Sequence, residues 1–257
     1  MLGLGLRINA HKYSSKAWTP SEISTLMWLD ASDTDTITES SGSVSQWDDK
    51  SGNDNHVTQS TSADQPTTGT NTINNLNVIN FDSSNSEFMN IDGNIFVNTD
   101  YEILAVVKKN SADRGYLFGG ETAEFGKNLH FGWREDDLLR TSHYGNDLDG
   151  SVDGYIADGV GIISTKFDLD GDKCLAQNGS EIACIETQYP LTEYLNATIG
   201  RYTSLNYLNA DVCEILVIDR LLTTNDRQKL EGYLAHKWGL TSNLPVNHPY
   251  KNKKPLV

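Results

Sequence analysis

The 257-residue sequence is poor in cysteine and basic residues, and it contains no long hydrophobic run. The sequence has three cysteines, and a small, odd number argues against a disulfide framework, so we expect buried, reduced thiols. No stretch approaches the roughly 20 apolar residues needed to cross a bilayer, so no membrane span is expected. Lys and Arg total 20 against 35 Asp and Glu, and the resulting charge of −15 disfavours nucleic acid as a partner.

The first residues, MLGLGLRINAHKYSSKA, lack the features of a secretory leader. The apolar run is short, no positively charged segment precedes it, and Arg7 and His11 interrupt it. We therefore expect a protein made in a cytoplasm, or one whose leader has been removed. Residues 1–17 show no clear periodicity and are interpreted as an N-terminal extension.

Strand signals dominate the chain and recur roughly every 8 to 12 residues, the spacing of an antiparallel sandwich or barrel. The clearest is YEILAVVKKN, in which Ile103, Ala105 and Val107 alternate with Leu104 and Val106. The connections lack the repeated helices that a parallel sheet requires. We expect an all-β fold built from antiparallel sheets.

The segment KCLAQNGSEIACIE predicts a hairpin around Asn178-Gly179. A two-residue turn places Cys174 opposite Ala183, whereas a three-residue turn places it opposite Cys184. The sequence leaves both registers open.

One long helix is predicted near the C-terminus, beginning at Thr223 or Thr224 and ending before Gly239. Leu230, Tyr233, Leu234 and Trp238 form one apolar stripe that requires a sheet to cover it. After the helix, each residue before a proline is driven into an extended conformation. We interpret the helix and the following HPY arm as a clasp that closes the domain, with Trp28, Trp47 and Trp238 in the core.

Several segments resemble the laminin-G-like or concanavalin-A-like jelly-roll modules of bacterial and phage proteins. They are LMWLDASD, VSQWDDKSGNDNH, NVINFDSSNSEFM, CEILVIDRLLTTNDRQKLEGYLAHKWGL and LPVNHPYK. The resemblance implies an antiparallel two-sheet jelly-roll sandwich with one C-terminal helix packed on it. The domain would span residues 18–251 and be followed by a short basic tail at 252–257, which we expect to be solvated.

Enzymatic activity is not expected. The jelly-roll glucanases of this fold carry a Glu-x-Asp-x-x-Glu trio, and the one partial match, at Glu135, has Arg140 in the last place. No G-x-S-x-G nucleophile motif and no His-x-x-x-His or Cys-x-x-Cys metal spacing occurs. Isolated histidines such as His130 and His143 are interpreted as surface or satisfied residues.

Two oxygen-rich loops bear on calcium. In the family that the sequence resembles, two loops sometimes hold a structural calcium. The equivalent loops here contain Asp49 and Asn53 in one and Asp82 in the other. We therefore expect no required cofactor but consider a structural calcium ion a candidate. The alternating Asp168, Asp170 and Asp172 match half of a calcium loop, but the Glu of the twelfth position is missing, which favours a plain hairpin turn.

Carbohydrate binding requires an aromatic face for the C–H side of a sugar ring and fixed polar groups for its hydroxyls. Four aromatic residues in predicted loops or strand ends have polar neighbours: Trp133, Tyr144, Tyr202 and Tyr207. These are the candidate carbohydrate-binding residues.

The opening MLGLG also resembles the start of structural proteins of marine phages. This favours a non-enzymatic virion protein, either a capsid decoration or a tail-associated protein, assembled in the host cytoplasm and attached to other virion proteins through Met1 to Ala17. Its lectin-like module would bind host-surface polysaccharide, and the protein would be single or a homo-oligomer. The alternatives are an extracellular bacterial carbohydrate-binding adhesin and, less favoured, a glycoside hydrolase using Glu121, Glu124 or Glu135.

Overall fold

The computed structural model describes residues 16–135, 138–152, 159–186 and 189–257. The strands in chain order are β1 Met27–Asp30, β2 Ile37–Ser40, β3 Ser43–Trp47, β4 Val57–Thr58, β5 Thr67–Ile73, β6 Leu76–Phe81, β7 Met89–Asn90, β8 Tyr101–Lys109, β9 Gly115–Gly120, β10 His130–Glu135, β11 Leu138–Ser142, β12 Asp147–Ser151, β13 Val160–Phe167, β14 Asp172–Gln177, β15 Ser180–Glu186, β16 Ala197–Ile199, β17 Arg201–Tyr202, β18 Asn206–Tyr207 and β19 Ala210–Ile218.

Within the described residues there is one α-helix, α1 (Thr224–Trp238), and it is not long and apolar enough to cross a membrane. Short 3-10 helices occupy Pro20–Glu22, Thr34–Thr36, Ser62–Asp64, Ser83–Asn85, Gly93–Phe96, Thr203–Leu205 and Thr241–Asn243.

Two antiparallel sheets form a sandwich. One, which we name the helix sheet, has the order β1–β19–β8–β13–β14–β15. The other, which we name the open sheet, runs β4–β7–β16–β9–β10–β11–β12. Strands β3, β5 and β6 join the two at an edge. β6 pairs with β19 of the helix sheet, β5 pairs with both β6 and β3, and β3 pairs with β4 of the open sheet. The predicted all-β sandwich with one C-terminal helix is confirmed.

Strand alternation divides the buried side chains into two cores. On β8, Ile103, Ala105 and Val107 face the sandwich interior, while Leu104 and Val106 face α1, as the sequence predicts. The sandwich core also holds Trp47 and Trp133, and the core beneath the helix holds Trp18, Trp28 and Trp238. The predicted core positions of Trp28, Trp47 and Trp238 are confirmed.

The helix begins and ends where its local signals place it. The Thr223 hydroxyl accepts a hydrogen bond from the Asp226 N–H at 3.1 Å, and Gly239 ends α1 in the left-handed conformation with φ of 76°. Leu230, Leu234 and Trp238 are buried against the helix sheet, so the predicted apolar stripe is confirmed.

The arm after α1 folds back onto the helix. Nε2 of His248 lies 3.1 Å from Oε2 of the buried Glu231, and Nε2 of His236 lies 2.9 Å from the carbonyl oxygen of Tyr250. Tyr250 packs so closely on Gly232 that a Cβ there would lie 2.5 Å from the Tyr250 Cβ. The interpretation of this segment as a clasp agrees with these contacts.

A buried polar network fastens α1 to the helix sheet. The Glu214 carboxylate on β19 is fully buried and accepts hydrogen bonds from Nε1 of Trp28 at 2.7 Å, Nε1 of Trp238 at 2.8 Å, the hydroxyl of Tyr233 at 3.1 Å and Nζ of Lys237 at 2.8 Å. Burial raises the pKa of the Glu214 carboxyl, and the charge of Lys237 opposes that rise.

The buried Asp30 extends this network. Its carboxylate lies 2.6 Å from Nζ of Lys237 and 3.0 Å from Nζ of Lys50. Burial alone would raise the pKa of Asp30, but the two cations and Ser32 hold it below its usual value. The charged groups therefore compensate one another inside the structure.

The structure corrects the expected state of two cysteines. Cys174 and Cys184 form a disulfide across the β14–β15 hairpin, while Cys213 is free and buried. The turn at Asn178-Gly179 has two residues, but the register shifts between Leu175 and Ala176, and this bulge brings the two cysteines opposite each other. Neither register considered from the sequence included a bulge.

The two ends of the described chain pair with each other. Trp18 N–H donates to the Pro255 carbonyl, Ala17 bridges to Leu256, and Pro255 is buried, whereas Lys253 and Lys254 are exposed. The division into an extension at residues 1–17, a domain at 18–251 and a tail at 252–257 stays a prediction. Met1 to Ser15 lie outside the described residues.

Replacement of Glu214 tests the network. We expect Glu214→Ala to lower the free energy of unfolding by about 3–5 kcal/mol, because two indole N–H groups and a buried ammonium lose their shared acceptor. Urea denaturation measures this loss. The exposed Glu186→Ala on β15 is the matched control and should change stability by no more than about 0.5 kcal/mol. Equal effects of the two variants would contradict the assigned role of Glu214.

Candidate functional site

The outer face of the open sheet carries a cluster of aromatic and charged side chains. On β10, Phe131 and Trp133 point into the sandwich core, so His130 lies on the opposite face. The pairing of Gly132 with Tyr116 and Arg140, and of Arg140 with Asp149, brings side chains of four neighbouring strands onto that face. We name this cluster the outer-sheet surface and define it as Tyr116, His130, Arg140, Tyr144, Asp147, Asp149 and Tyr202.

His130 is the centre of the aromatic part. The ring centroids of Tyr202 and His130 are 4.5 Å apart at an interplanar angle of 32°. The ring centroid of Tyr116 is 5.4 Å from that of His130, with the two rings edge-on. The Tyr144 ring lies 6.3 Å from His130. Tyr116 and His130 are buried beneath the others, while Tyr144 and Tyr202 are partly exposed. Two partly solvent-facing rings therefore rest on a fixed aromatic base.

Arg140 organises the polar part. Its Nε and Nη2 bind the two carboxylate oxygens of Asp149 at 2.6 and 2.7 Å, and its Nη1 lies 2.6 Å from Oδ2 of Asp147. The Ser142 hydroxyl donates to Oδ1 of Asp147 at 2.6 Å. The hydrogen bonds with Asp149 raise the pKa of Arg140 and hold that of Asp149 below its usual value. The guanidinium charge is thus matched within the cluster.

Two buried groups, His130 within the cluster and Lys173 beside it, have shifted pKa values. Burial lowers the pKa of His130 to about 4, although Asp147, 3.8 Å from its Nε2, favours the protonated form. Burial also lowers the pKa of Lys173 to about 8; its ammonium donates to the carbonyl of Asn146. His130 is therefore a neutral ring near pH 7.

The structure brings together two of the four predicted carbohydrate-binding residues, Tyr144 and Tyr202. Trp133 is fully buried in the sandwich core and presents no face to solvent, which corrects its assignment as a ligand platform. Tyr207 lies on the opposite side of the β17–β18 ribbon from Tyr202, with its ring 6.5 Å from Phe88. It lines a separate depression of about 360 Å³ with Arg114 and Leu205.

Sequence reasoning missed Tyr116, Arg140, Asp147 and Asp149 as members of one site. The strand β12 that carries both aspartates was not predicted, because DLDGS has little hydrophobic alternation. The sequence prediction makes His130 an isolated histidine, although the alternation in HFGWRE places it on the other face from Phe131 and Trp133. That alternation is the one local signal that points to an outward cluster.

The predicted calcium ligands are engaged in other contacts. Oδ1 of the buried Asp49 accepts from the N–H groups of Trp28 and Ser51, both at 2.8 Å, and Oδ2 accepts from the Ser51 hydroxyl and the Asn55 N–H. Four donors occupy the acceptor positions of this carboxylate. The Asn53 amide donates to the carbonyl of Thr25 at 2.9 Å.

The Asp82 side chain likewise forms hydrogen bonds within its own loop. Its Oδ1 accepts from the N–H and hydroxyl of Ser84 and caps a short 3-10 helix. Among the described residues, one group of three His, Cys, Asp or Glu side chains has ligand atoms within 4.8 Å of one another: Asp172, Cys174 and Cys184. The disulfide occupies both of its sulfurs. The calcium site at Asp49, Asn53 and Asp82 stays a prediction.

The three glutamates considered for glycoside hydrolysis each face a cation. Glu121 lies 3.0 Å from Nη1 of Arg201, Glu124 lies 2.9 Å from Nζ of Lys127, and Glu135 lies 3.4 Å from Nη1 of Arg134. Their roles as acid or base stay predictions.

The sequence matches no protein-family model and no curated protein. The fold of this chain is similar to that of several solved structures. Domain 4 of AbnA, a GH43 extracellular arabinanase from Geobacillus stearothermophilus in complex with arabinotriose, is 14% identical with a TM-score of 0.57, and the match covers 80% of this chain and 98% of that domain.

Receptor-binding domains resemble the chain over a smaller share of their own length. The binding domain of botulinum neurotoxin DC in complex with SialylT is 13% identical with a TM-score of 0.55, and the match covers 82% of this chain. Another receptor binding domain is 14% identical with a TM-score of 0.57. The chain spans about half the length of both, at 51%. At these identities, the likeness establishes the β-sandwich fold.

The buried histidines predict a pH dependence of stability. His130 and His143 have folded-state pKa values of about 4 and about 3, below the unfolded value of about 6.5. Their contribution to the free energy of unfolding is present above pH 6.5 and is lost as pH falls toward 4, because the unfolded chain then binds protons that the folded protein does not. Around His130, Asp147 and Asp149 favour protonation, whereas Arg140 and Lys173 oppose it.

The expected loss attributable to His130 is about 3 kcal/mol between pH 6.5 and 4. Urea denaturation at a series of pH values, compared between the native sequence and His130→Asn, measures it as a difference in slope. Parallel curves for the two proteins would show that His130 is not kept neutral by burial.

Proposed function

We propose that this domain binds a neutral carbohydrate at the outer-sheet surface. The observation that carries the proposal is the pairing of two partly exposed tyrosine rings, Tyr144 and Tyr202, with an adjacent arginine–aspartate network. A sugar offers a C–H face and a rim of hydroxyls, and both are matched here.

The polar network supplies both kinds of hydrogen-bonding group at fixed positions. The Asp147 and Asp149 carboxylates accept hydrogen bonds from hydroxyls, and the Arg140 guanidinium donates them. Asp147 is the most solvent-facing of the three, with its side chain 39% exposed. Because their mutual ion pairs hold these groups in place, little side-chain freedom is lost when a ligand binds.

The charge balance favours a neutral glycan over an acidic one. The Arg140 guanidinium forms ion pairs with Asp147 and Asp149. Nη1 of Arg134 lies 3.4 Å from Oε1 of Glu135 and 4.0 Å from Oδ2 of Asp149. Burial keeps His130 neutral near pH 7. An anionic sugar would meet no unmatched cation in this cluster, and it would approach a protein with a net charge of −15.

The structural neighbours support a ligand-binding role by analogy of fold. One is an arabinanase domain in complex with arabinotriose, and another is a toxin binding domain in complex with SialylT. A shared fold hosts many functions, so the outer-sheet surface itself carries the argument.

The same proposal treats the chain as a non-enzymatic binding module of a virion, with Met1 to Ala17 attaching it to other particle proteins and the surface cluster meeting host polysaccharide. The runner-up is an extracellular bacterial adhesin domain with the same site. A homo-oligomer is compatible with either setting. A glycoside hydrolase is the least supported reading, because each candidate glutamate is paired with a cation.

Binding is tested on an array of bacterial and plant polysaccharides that includes arabinan. We expect signals from neutral glycans. Tyr202→Ala should weaken binding by about tenfold or more, because the exposed ring that faces the sugar is removed. Tyr207→Ala is the matched control, since it removes the same side chain from the other side of the same ribbon. Absence of binding, or equal losses in both variants, would refute the proposed site.

The particle setting has its own test. Deleting residues 1–15 leaves the pairing of Ala17 with Leu256 in place, so the shortened protein should fold and bind carbohydrate normally. It should no longer be incorporated into particles, as measured by immunoblotting of purified virions. Unchanged incorporation would refute the attachment role.

A further inference from the structure

A second pair of aromatic rings lies exposed beside the proposed site. The side chains of Phe125 and Tyr189 are among the few large apolar groups on the surface, at 55% and 54% exposure. Their ring centroids are 5.3 Å apart at 81°. More than half of the accessible surface of each residue therefore stays in contact with water, and the two adjacent rings are available to a ligand.

The backbone beneath this pair is fixed by hydrogen bonds. Nδ1 of the buried His143 lies 2.7 Å from the carbonyl oxygen of Tyr189. The Gly126 N–H donates to the His143 carbonyl at 2.8 Å, and the Thr192 N–H donates to the Gly126 carbonyl at 2.9 Å. Three loop segments are thereby tied together, and the two rings stand on a preorganised base.

The pair adjoins the outer-sheet surface through a single turn. Tyr144, whose ring belongs to that surface, is followed by Gly145, which adopts φ of 82°. A Cβ at Gly145 would lie 2.8 Å from Cδ2 of Phe125, so the Phe125 ring rests directly against the turn. Aromatic faces therefore continue from one side of this turn to the other.

The charges around the pair are also compensated. Nζ of Lys127 lies 2.9 Å from Glu124 and 3.4 Å from Glu193. The pair thus combines exposed aromatic faces with no uncompensated cation among these neighbours. This matches the neutral chemistry of the outer-sheet surface.

We infer that Phe125 and Tyr189 form a second subsite that binds further units of the same neutral polysaccharide chain, so that the ligand spans the turn at Tyr144-Gly145. This inference rests on the proposed function and specifies its ligand as an extended chain. The second subsite adds affinity for long oligosaccharides only, because short ones are accommodated by the outer-sheet surface alone.

The test compares two lengths of the same sugar. Trimers and octamers are prepared from arabinan, dextran, galactan and mannan, and affinities are measured by isothermal titration calorimetry. In Phe125→Ala/Tyr189→Ala, octamer binding should weaken by about tenfold, whereas trimer binding should stay within about twofold of the native protein. Val246→Ala, which removes a 91% exposed apolar side chain from the C-terminal arm, is the control and should change neither.

The outcomes separate the two proposals. If the double variant leaves octamer and trimer binding unchanged, or weakens both equally, the second subsite is overturned and the binding site at the outer-sheet surface stands. No binding of any of these sugars by the native protein overturns both. Thermal denaturation confirms that the double variant is folded, and Phe125→Leu and Tyr189→Leu replace it if it is not.

A competing occupant of the same rings is a second copy of the chain. Sedimentation velocity distinguishes it, because a native dimer that becomes a monomer in the double variant would assign the rings to self-association and overturn the second subsite.

Discussion

The buried carboxylate of Glu214 is the contact on which the closed side of the sandwich depends. A carboxylate without solvent is costly unless its acceptor positions are filled, and here β1 and α1 fill them with two indole N–H groups, a phenol and an ammonium. Apolar contacts hold α1 against the sheet, but they permit small rotations and slides. Directional bonds to one buried group exclude those alternatives and fix the setting of the helix.

This closure leaves the other sheet as the location of the proposed binding site. The helix covers the outer face of the helix sheet, and the C-terminal arm covers the helix in turn through His248 and Tyr250. Among the described residues, no α-helix covers the face of the open sheet that carries Arg140 and Asp149, so strands β11 and β12 present partly exposed side chains there. A rigid sheet then positions the proposed site, and binding requires little ordering of the protein.

His143 links the sandwich core to both proposed aromatic subsites. Its ring bonds to the hydroxyl of the buried Tyr101 at 2.7 Å and to the backbone of Tyr189, while the next residue, Tyr144, contributes its ring to the outer-sheet surface. Burial lowers the pKa of His143 to about 3, so the ring stays neutral and keeps these bonds across the physiological range. Stability of the core and geometry of the proposed site are therefore coupled at this residue.

Features that depend on near neighbours in the chain could be predicted from the amino-acid sequence. They are the two faces of β8, the Thr223 and Gly239 ends of α1, and the apolar stripe at Leu230, Leu234 and Trp238. Other features depend on contacts between residues far apart in the chain. A single bulge set Cys174 opposite Cys184, and sheet packing decided that Trp133 faces inward while His130 faces Tyr202, 72 residues later in the chain. Propensity and alternation act over a few residues, but one inserted residue reverses which face a side chain occupies, and only the assembled sheets settle that choice.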